Sequence, residues 1–437
     1  MTANRPNLLL ICTDQQHHAM MGCAGNRWVT TPAMDRLARS GVRFTRAYTT
    51  DPVCVPARFS LITGRMPSAI GLRSNDGDHI RRIDEKILTT GLGHTLSAAG
   101  YEAVYAGKQH LPVSAAEDYG FTVLTDDERD GCARVSSEYI ARDHDRPFAL
   151  MVHLINPHDI CYMAIRESQR TDAEVRTVEN GQVEVATLDE AIVLPEGVDR
   201  DEFFEKHCPP IPENLEPQEG EPRAITELVN RRAFRAIARS EWSDETWRMH
   251  RWAYRRLTER VDAQIAIILD ALESSGRVDD TVVVFTSDHG DHDGAHRLEH
   301  KTTFYDEAAR VPCIVAGPGV PRGVVDSTHL VSNGLDLFPT FADYAGSPTS
   351  ADRRGLSLRR LLEASEPEWR TDLPIESEIG RCVVTSEYKY ARYDAAGAEE
   401  QLVDLVRDPG EMRNVADDPE YSDALRECRG RWKDHFW

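Results

Sequence analysis

The sequence lacks the features that mark membrane, exported or nucleic-acid-binding chains. None of its 437 residues lies in an apolar run approaching the roughly 20 residues that span a bilayer. The apolar stretch nearest the N-terminus, residues 8–12, is too short for the core of a secretory signal and is followed at once by polar residues, so the expected compartment is the cytoplasm. Basic residues are in deficit. Lys and Arg number 51 against 73 Asp and Glu, a formal charge of −22, so no general polyanion-binding surface and no nucleic-acid partner is expected. No Cys-x-x-Cys pair occurs, and the nine cysteines are scattered and odd in number, which argues for reduced thiols rather than a disulfide framework. Cys12 and Cys313 sit inside apolar runs and read as small buried hydrophobes. Cys54 does not. Internal repeats and low-complexity tracts are also missing.

What is present is the composition of a globular protein, 41% hydrophobic and 28% charged, long enough for a large domain with an appendage. Short β-branched apolar runs at residues 7–13, 103–106, 148–154, 281–287 and 312–316 read as buried strands. Helix-period stretches at 31–40, 94–99, 244–275 and 335–345 lie between them. This alternation predicts an α/β fold, a large mostly parallel sheet sandwiched by helices, with ligands at the carboxyl ends of the strands. Polar residues fall at those ends: Asp14, then Lys108 and His110, then His158, then Asp288 and His289. One site built from several strand ends is the simplest reading. Residues 1–375 form the expected main α/β domain, interrupted near 166–243 by an acidic, Pro-rich insertion that reads as a lid. Residues 376–437 form a small C-terminal subdomain, with short antiparallel strands at 381–385, 388–393 and 400–404 and a terminal helix.

The segment Asp51-Pro-Val-Cys54-Val-Pro56-Ala-Arg58, running on to Leu61, Thr63, Gly64 and Arg65, places a cysteine just before a proline suited to the first turn of a helix. A helix N-terminus there favours negative charge beside Cys54, and Arg58 lies one turn on. On these residues alone, an activated thiol at an anion pocket and a cysteine merely buried at a helix start both remain open.

The pattern C-x-P-x-R followed by Leu, Thr, Gly and Arg resembles the signature of type I sulfatases, within the alkaline phosphatase superfamily. The resemblance spans nearly the whole chain: Pro6-Asn7-Leu8-Leu9-Leu10 with Asp14-Gln15, Gly107-Lys108-Gln109-His110, Pro157-His158, Ser287-Asp288-His289-Gly290, Lys301, Phe304-Tyr305-Asp306-Glu307 and Arg310. It continues through Lys389 to Tyr393, Asp404, and Asp408-Pro-Gly-Glu411 with Asn414. It implies that a separate maturation enzyme oxidises Cys54 to formylglycine, whose hydrate is the nucleophile. It also implies one divalent metal held by Asp14, Gln15, residue 54, Asp288 and His289, with Ca²⁺ favoured and Mn²⁺ or Mg²⁺ as alternatives. Arg58, Lys108, His110, His158 and Lys301 match the remaining catalytic positions, with His110 the base for sulfate elimination and His158 the acid for the leaving alcohol. Two positions depart from many sulfatases, which carry a second Asp in place of Gln15 and Asn in place of His289.

The implied activity is sulfuric ester hydrolysis on a sugar or other small polar alcohol, from a small molecule or short saccharide. Phosphonate or phosphate ester hydrolysis is the alternative, and a non-catalytic metal-dependent binding protein is the alternative from another class. His17, His18, Asn75, Asp76, His79, His292, His296, Arg297 and His300 are candidate rim contacts. The acidic stretch 166–222 is expected to repel long polysulfated chains.

Overall fold

The structure, a computed structural model, describes residues 5–76, 80, 82–168, 171–363, 368–394, 397 and 399–437. Its strands are β1 (Asn7–Asp14), β2 (Gly41–Phe44), β3 (Ala47–Tyr48), β4 (Glu102–Gly107), β5 (Thr122–Thr125), β6 (Phe148–Pro157), β7 (Thr281–Ser287), β8 (Cys313–Ala316), β9 (Val324–Asp326), β10 (Val331–Ser332), β11 (Asp372–Ser377), β12 (Gly380–Thr385), β13 (Tyr388–Tyr393) and β14 (Glu400–Asp404). The helices that matter for the site are α1 (Pro32–Ser40), α2 (Cys54–Thr63), α3 (Asp130–Ala141), α4 (Arg223–Asn230), α5 (Ala233–Glu241), α6 (Asp244–Ser274), α7 (Asn333–Tyr344) and α8 (Ser422–Phe436).

Eight strands form one sheet in the order β5-β4-β6-β1-β7-β8-β2-β9. Its centre is parallel, and β8 alone runs antiparallel to both neighbours. The side-chain alternation of a strand explains the two layers of core. Leu8, Leu10 and Cys12 of β1 face α2 and α7 with Phe59, Phe338 and Phe341, whereas Leu9 and Ile11 face α1, α3 and α6 with Met34, Ile140 and Ile265. Both faces are buried, as a parallel sheet requires.

The register brings the strand ends together. Thr13 pairs with Ser287 and Asp14 with Pro157, so Asp14, His158 and Asp288 emerge at one edge. Gly107 ends β4 at φ 89° with its Cα against the His153 carbonyl, where a Cβ would lie 2.1 Å from that oxygen. Only glycine fits there. The turn it permits places Lys108 beside Asp14.

The insertion is helical. Part of it packs on α6 around Leu188, Trp242, Trp247 and Tyr254. α4 packs through Ile225 and Leu228 on Leu373, Ile375 and Tyr393 of the four-stranded antiparallel sheet β11-β12-β13-β14. α8 covers the other face of that sheet with Leu425, Cys428 and Trp432. The sheet opens at Asp372, so β11 straddles the 375/376 boundary read from the sequence. No helix of the described residues is long and apolar enough to cross a membrane.

Candidate active site

Cys54 is the first residue of α2, fully buried, with the Asn75 Oδ1 accepting from the Val55 amide at 3.0 Å and tying down the helix start. Its Sγ lies 2.9 Å from Lys301 Nζ, 3.2 Å from His289 Nε2 and 3.8 Å from Asp14 Oδ1. Burial and the Asp14 charge push this thiol up, but Lys301, His289 and Lys108 outweigh them and hold it well below its usual range.

One turn along the same helix, Arg58 is fully buried and ties the strand ends together. Its Nη2 donates to Asp14 Oδ2 at 2.8 Å and its Nε to Asp288 Oδ2 at 3.0 Å. Its Nη1 donates to the Lys108 carbonyl at 3.0 Å and lies 2.9 Å from His153 Nδ1. Every hydrogen bond is charge-assisted or buried, and a planar fork is needed to make them all at once. Lys108 Nζ adds a second cation 2.8 Å from Asp14 Oδ2. Burial alone would raise Asp14, but Lys108, His158 and Arg58 hold it well below the usual carboxylate range. Asp288 is pushed up by burial and by the Asp14 charge.

A carboxylate oxygen each from Asp14 and Asp288, a His289 nitrogen and the Cys54 sulfur all lie within 4.8 Å of one another, each residue buried. His289 Nδ1 is 2.9 Å from the Gly290 carbonyl, which assigns the proton to Nδ1 and turns the Nε2 lone pair toward the carboxylates. Two anionic oxygens and one neutral imidazole suit a divalent cation. Gln15 stands at the rim of this cluster in the left-handed region, φ 69°. Its Oε1 accepts from Lys301 Nζ at 2.8 Å and its Nε2 donates to Asp291 Oδ2 at 2.7 Å. The backbone is fixed by its amide to Asp288 Oδ1, 3.1 Å, and by the Tyr254 hydroxyl to its carbonyl, 2.6 Å.

The other expected residues are less uniform. His158 opens the 3₁₀ turn after β6 and is half-buried, with Nδ1 shielded and unpartnered. His110 is exposed two residues past Lys108, and among the described residues it makes no hydrogen bond to Cys54 or its carboxylates. Four of the eight described rim candidates, His17, His292, His296 and His300, are buried. His17 is stacked on Tyr254 with centroids 5.6 Å apart, His296 on Tyr305 at 3.8 Å, and His292 is 3.1 Å from the Thr303 hydroxyl. Arg297 pairs with Glu216 at 2.9 Å on the surface, Asp76 approaches Arg232 at 3.9 Å, and His79 lies outside the described residues. His18, half-buried, has its amide on the Arg310 carbonyl at 3.2 Å.

Sequence reasoning missed His153, whose Nδ1 lies 2.9 Å from Arg58 Nη1. His153 is the one charged-type residue in the apolar run of β6, and its ring lies flat on Tyr105, centroids 4.6 Å apart. A histidine in the middle of a buried strand was the available signal.

Comparison with known proteins gives the family. The family model for sulfatases matches residues 6–347, and that for the C-terminal region of N-sulphoglucosamine sulphohydrolase matches residues 294–435. The chain is 31% identical over 461 residues to a Delta 4,5-hexuronate-2-O-sulfatase of Bacteroides thetaiotaomicron, covering 99% of this chain and 89% of that protein. It is 27% identical to a choline-sulfatase of Rhizobium meliloti, covering 96% of this chain and 84% of the relative. A solved 2-O GAG sulfatase superposes with a TM-score of 0.83 at 28% identity, covering 99% of this chain and 92% of the other.

Proposed function

The chain belongs to the sulfatase family of enzymes, and from that premise we propose that it hydrolyses the sulfate ester of a sugar or comparably small polar alcohol. The observation that carries the reading is the placement of Cys54, with Sγ 2.9 Å from Lys301 Nζ and 3.2 Å from His289 Nε2 over two buried carboxylates. Oxidised to formylglycine by a maturation enzyme, residue 54 supplies as its aldehyde hydrate one hydroxyl to attack sulfur and a second to release the sulfate afterwards. Asp14, Asp288, His289 and residue 54, with Gln15 alongside, would hold a divalent cation, Ca²⁺ in our reading, which would supply positive charge to the sulfate oxygens.

The chain's own residues do the rest. Arg58 locks Asp14 and Asp288 in place. Lys108 and Lys301 hold the sulfate oxygens as charge builds on them. His158 gives a proton to the leaving alcohol, and His110, at the same strand end as Lys108, takes the proton released on elimination. A sugar substrate is supported by the relatives, one of which is by name a hexuronate-2-O-sulfatase.

Two measurements test this. Mass spectrometry of the peptide spanning Cys54, from protein made with a maturation enzyme, should find the aldehyde, and Cys54→Ala should abolish turnover. A panel of sulfated mono- and disaccharides, choline sulfate, aryl sulfates and phosphonate monoesters, ranked by kcat/KM, should place a sugar sulfate first. A phosphonate ahead of every sulfate ester by tenfold, about 1.4 kcal/mol in the transition state, would withdraw the reading.

A further inference from the structure

The metal cluster is poor in negative charge. Three buried cations, Arg58, Lys108 and Lys301, crowd its two carboxylates, with Lys108 Nζ 2.8 Å from Asp14 and Arg58 bonded to both Asp14 and Asp288. Gln15 adds an oxygen without a charge. A divalent ion among these groups needs further negative charge close by, or ligand oxygens made richer in electrons. The carboxylate that touches Gln15 is Asp291.

Asp291 is fully buried in the turn that follows β7. Both of its oxygens accept: Oδ2 from Gln15 Nε2 at 2.7 Å and Oδ1 from the Asp293 amide at 2.7 Å. The turn itself is anchored, since Asp293, with left-handed φ 49°, takes Arg251 of α6 on its carboxylate at 3.1 Å. Cys161 does not choose between the two ends of the Gln15 amide, because its Sγ lies 3.0 Å from Nε2 and 3.1 Å from Oε1. Lys301 does, donating to Oε1 at 2.8 Å while its ammonium lies 2.9 Å from Cys54 Sγ. Asp291 therefore holds the donor end of the amide away from the cluster and leaves the acceptor end against it. An amide N–H₂ bonded to a carboxylate also shifts electron density onto the amide oxygen.

We propose that Asp291 is a positioning residue for the metal site: it turns Gln15 Oε1 toward the ion, enriches that oxygen, and supplies from one residue away the negative charge that Gln15 lacks. The inference rests on the metal-dependent sulfatase reading above. Asp291 is not among the residues whose ligand atoms gather within 4.8 Å of one another, so it acts through Gln15 and not by a bond of its own to the ion. Asn at 291 donates as well as accepts, and so no longer fixes which end of Gln15 faces the cluster.

The test titrates Ca²⁺, Mg²⁺ and Mn²⁺, each alone, into the matured, chelator-treated full chain and reads affinity by calorimetry, beside the Tm of the metal-free protein. In Asp291→Asn the Kd of the ion that binds the wild type most tightly should rise about 10- to 100-fold. In a Gln15→Ala background the same change should move Kd by less than about threefold, because the group through which it acts is gone. Gln15→Glu combined with Asp291→Asn moves the carboxylate to residue 15 and leaves an amide to donate to it, so Kd should return to within about threefold of the wild type. A lower metal-free Tm in Asp291→Asn with an unchanged Kd would make Asp291 a fold residue only and overturn the proposal. Equal losses with and without Gln15 would overturn it, as would a wild type that binds none of the three ions. Should Asp291→Asn not fold, the double variant carries the test, since its affinity is compared with the wild type directly, and a folded double variant that binds the ion more than 100-fold more weakly would overturn the proposal. No hydrolysis of any sulfate ester, with the pattern of affinities intact, would sink the hydrolytic reading and uphold the Asp291 assignment.

Discussion

Lys389, on the third strand of the C-terminal sheet, places its ammonium 2.5 Å from the Asp306 carboxylate beside the large sheet. The same ammonium lies 2.8 Å from Glu411 Oε1, and Glu411 Oε2 accepts from the Asp306 amide at 2.5 Å. All three are buried. Three sequence blocks far apart in the chain thus meet in one staple between the small sheet and the catalytic layer. Lys389→Met leaves buried carboxylates without their shared cation, so we expect a loss of about 3 kcal/mol or more in urea denaturation. A loss under about 1 kcal/mol would mean that the apolar packing of α4 alone joins the two parts.

The same network sets a pH dependence. Burial raises Asp306, but Lys389 and Arg310 hold it well below the usual carboxylate range. With the folded value depressed, the stability from this pair is fully present above the unfolded value, about 4, and is lost as pH falls through the folded value. In Lys389→Met, burial raises the carboxylates, the native state binds more protons than the unfolded one, and stability increases as pH falls. The gap between wild type and variant should therefore narrow from pH 7 to pH 4.5. A constant gap would show that these groups are not ionised as drawn.

Arg58 offers a sharper test of geometry than of charge. Lys keeps the charge but cannot reach Asp14, Asp288, the Lys108 carbonyl and His153 together. Arg58→Lys should lower kcat/KM by about 100-fold and stability by about 3 kcal/mol, because one buried carboxylate loses its partner. Retained activity would mean that Asp14 and Asp288 are held in place by the strands alone.

Much of this was legible in the sequence, because strand ends and period-2 alternation are local signals. Leu8 to Cys12 alternate between two cores, and Asp14, Asp288 and His289, at the ends of β1 and β7, meet in one cluster with Lys108 beside it, whereas His110 stays exposed. The rest had no local signal. β2, β3, β9 and β10 are two to four residues long. Pro374 hid β11, yet that strand is at the edge of its sheet, where a missing N–H is tolerated. The ligand-rich run from Asp288 to Lys301 looks like a solvated loop in one dimension. It folds inward because His292 and His296 pack on Tyr305.

Chelation gives a fourth prediction. With ligand atoms of the buried Asp14, Asp288, His289 and Cys54 all within 4.8 Å of one another, removal of a divalent ion should abolish turnover and lower Tm, and the ion should restore both. Asp288→Asn should weaken ion binding in elemental analysis in step with activity. Full activity in a variant shown to be metal-free would remove the ion from the chemistry.

The last prediction concerns His158. It follows β6 directly, and its Nδ1 is shielded without a partner, so the ring is not committed to the fold. Burial and Lys108 hold it well below its ordinary range, so the free imidazole is neutral, and an anionic sulfate ester beside it favours the protonated form. A proton donor matters in proportion to how poorly the alcohol leaves. His158→Ala should therefore lower kcat/KM by about 1,000-fold on a sugar sulfate but by less than about tenfold on an activated aryl sulfate. Plotted against the pKa of the leaving group, the variant should show the steeper slope. Parallel lines, with equal losses across all esters, would mean that His158 holds the sulfate and that the leaving alcohol takes its proton from another group.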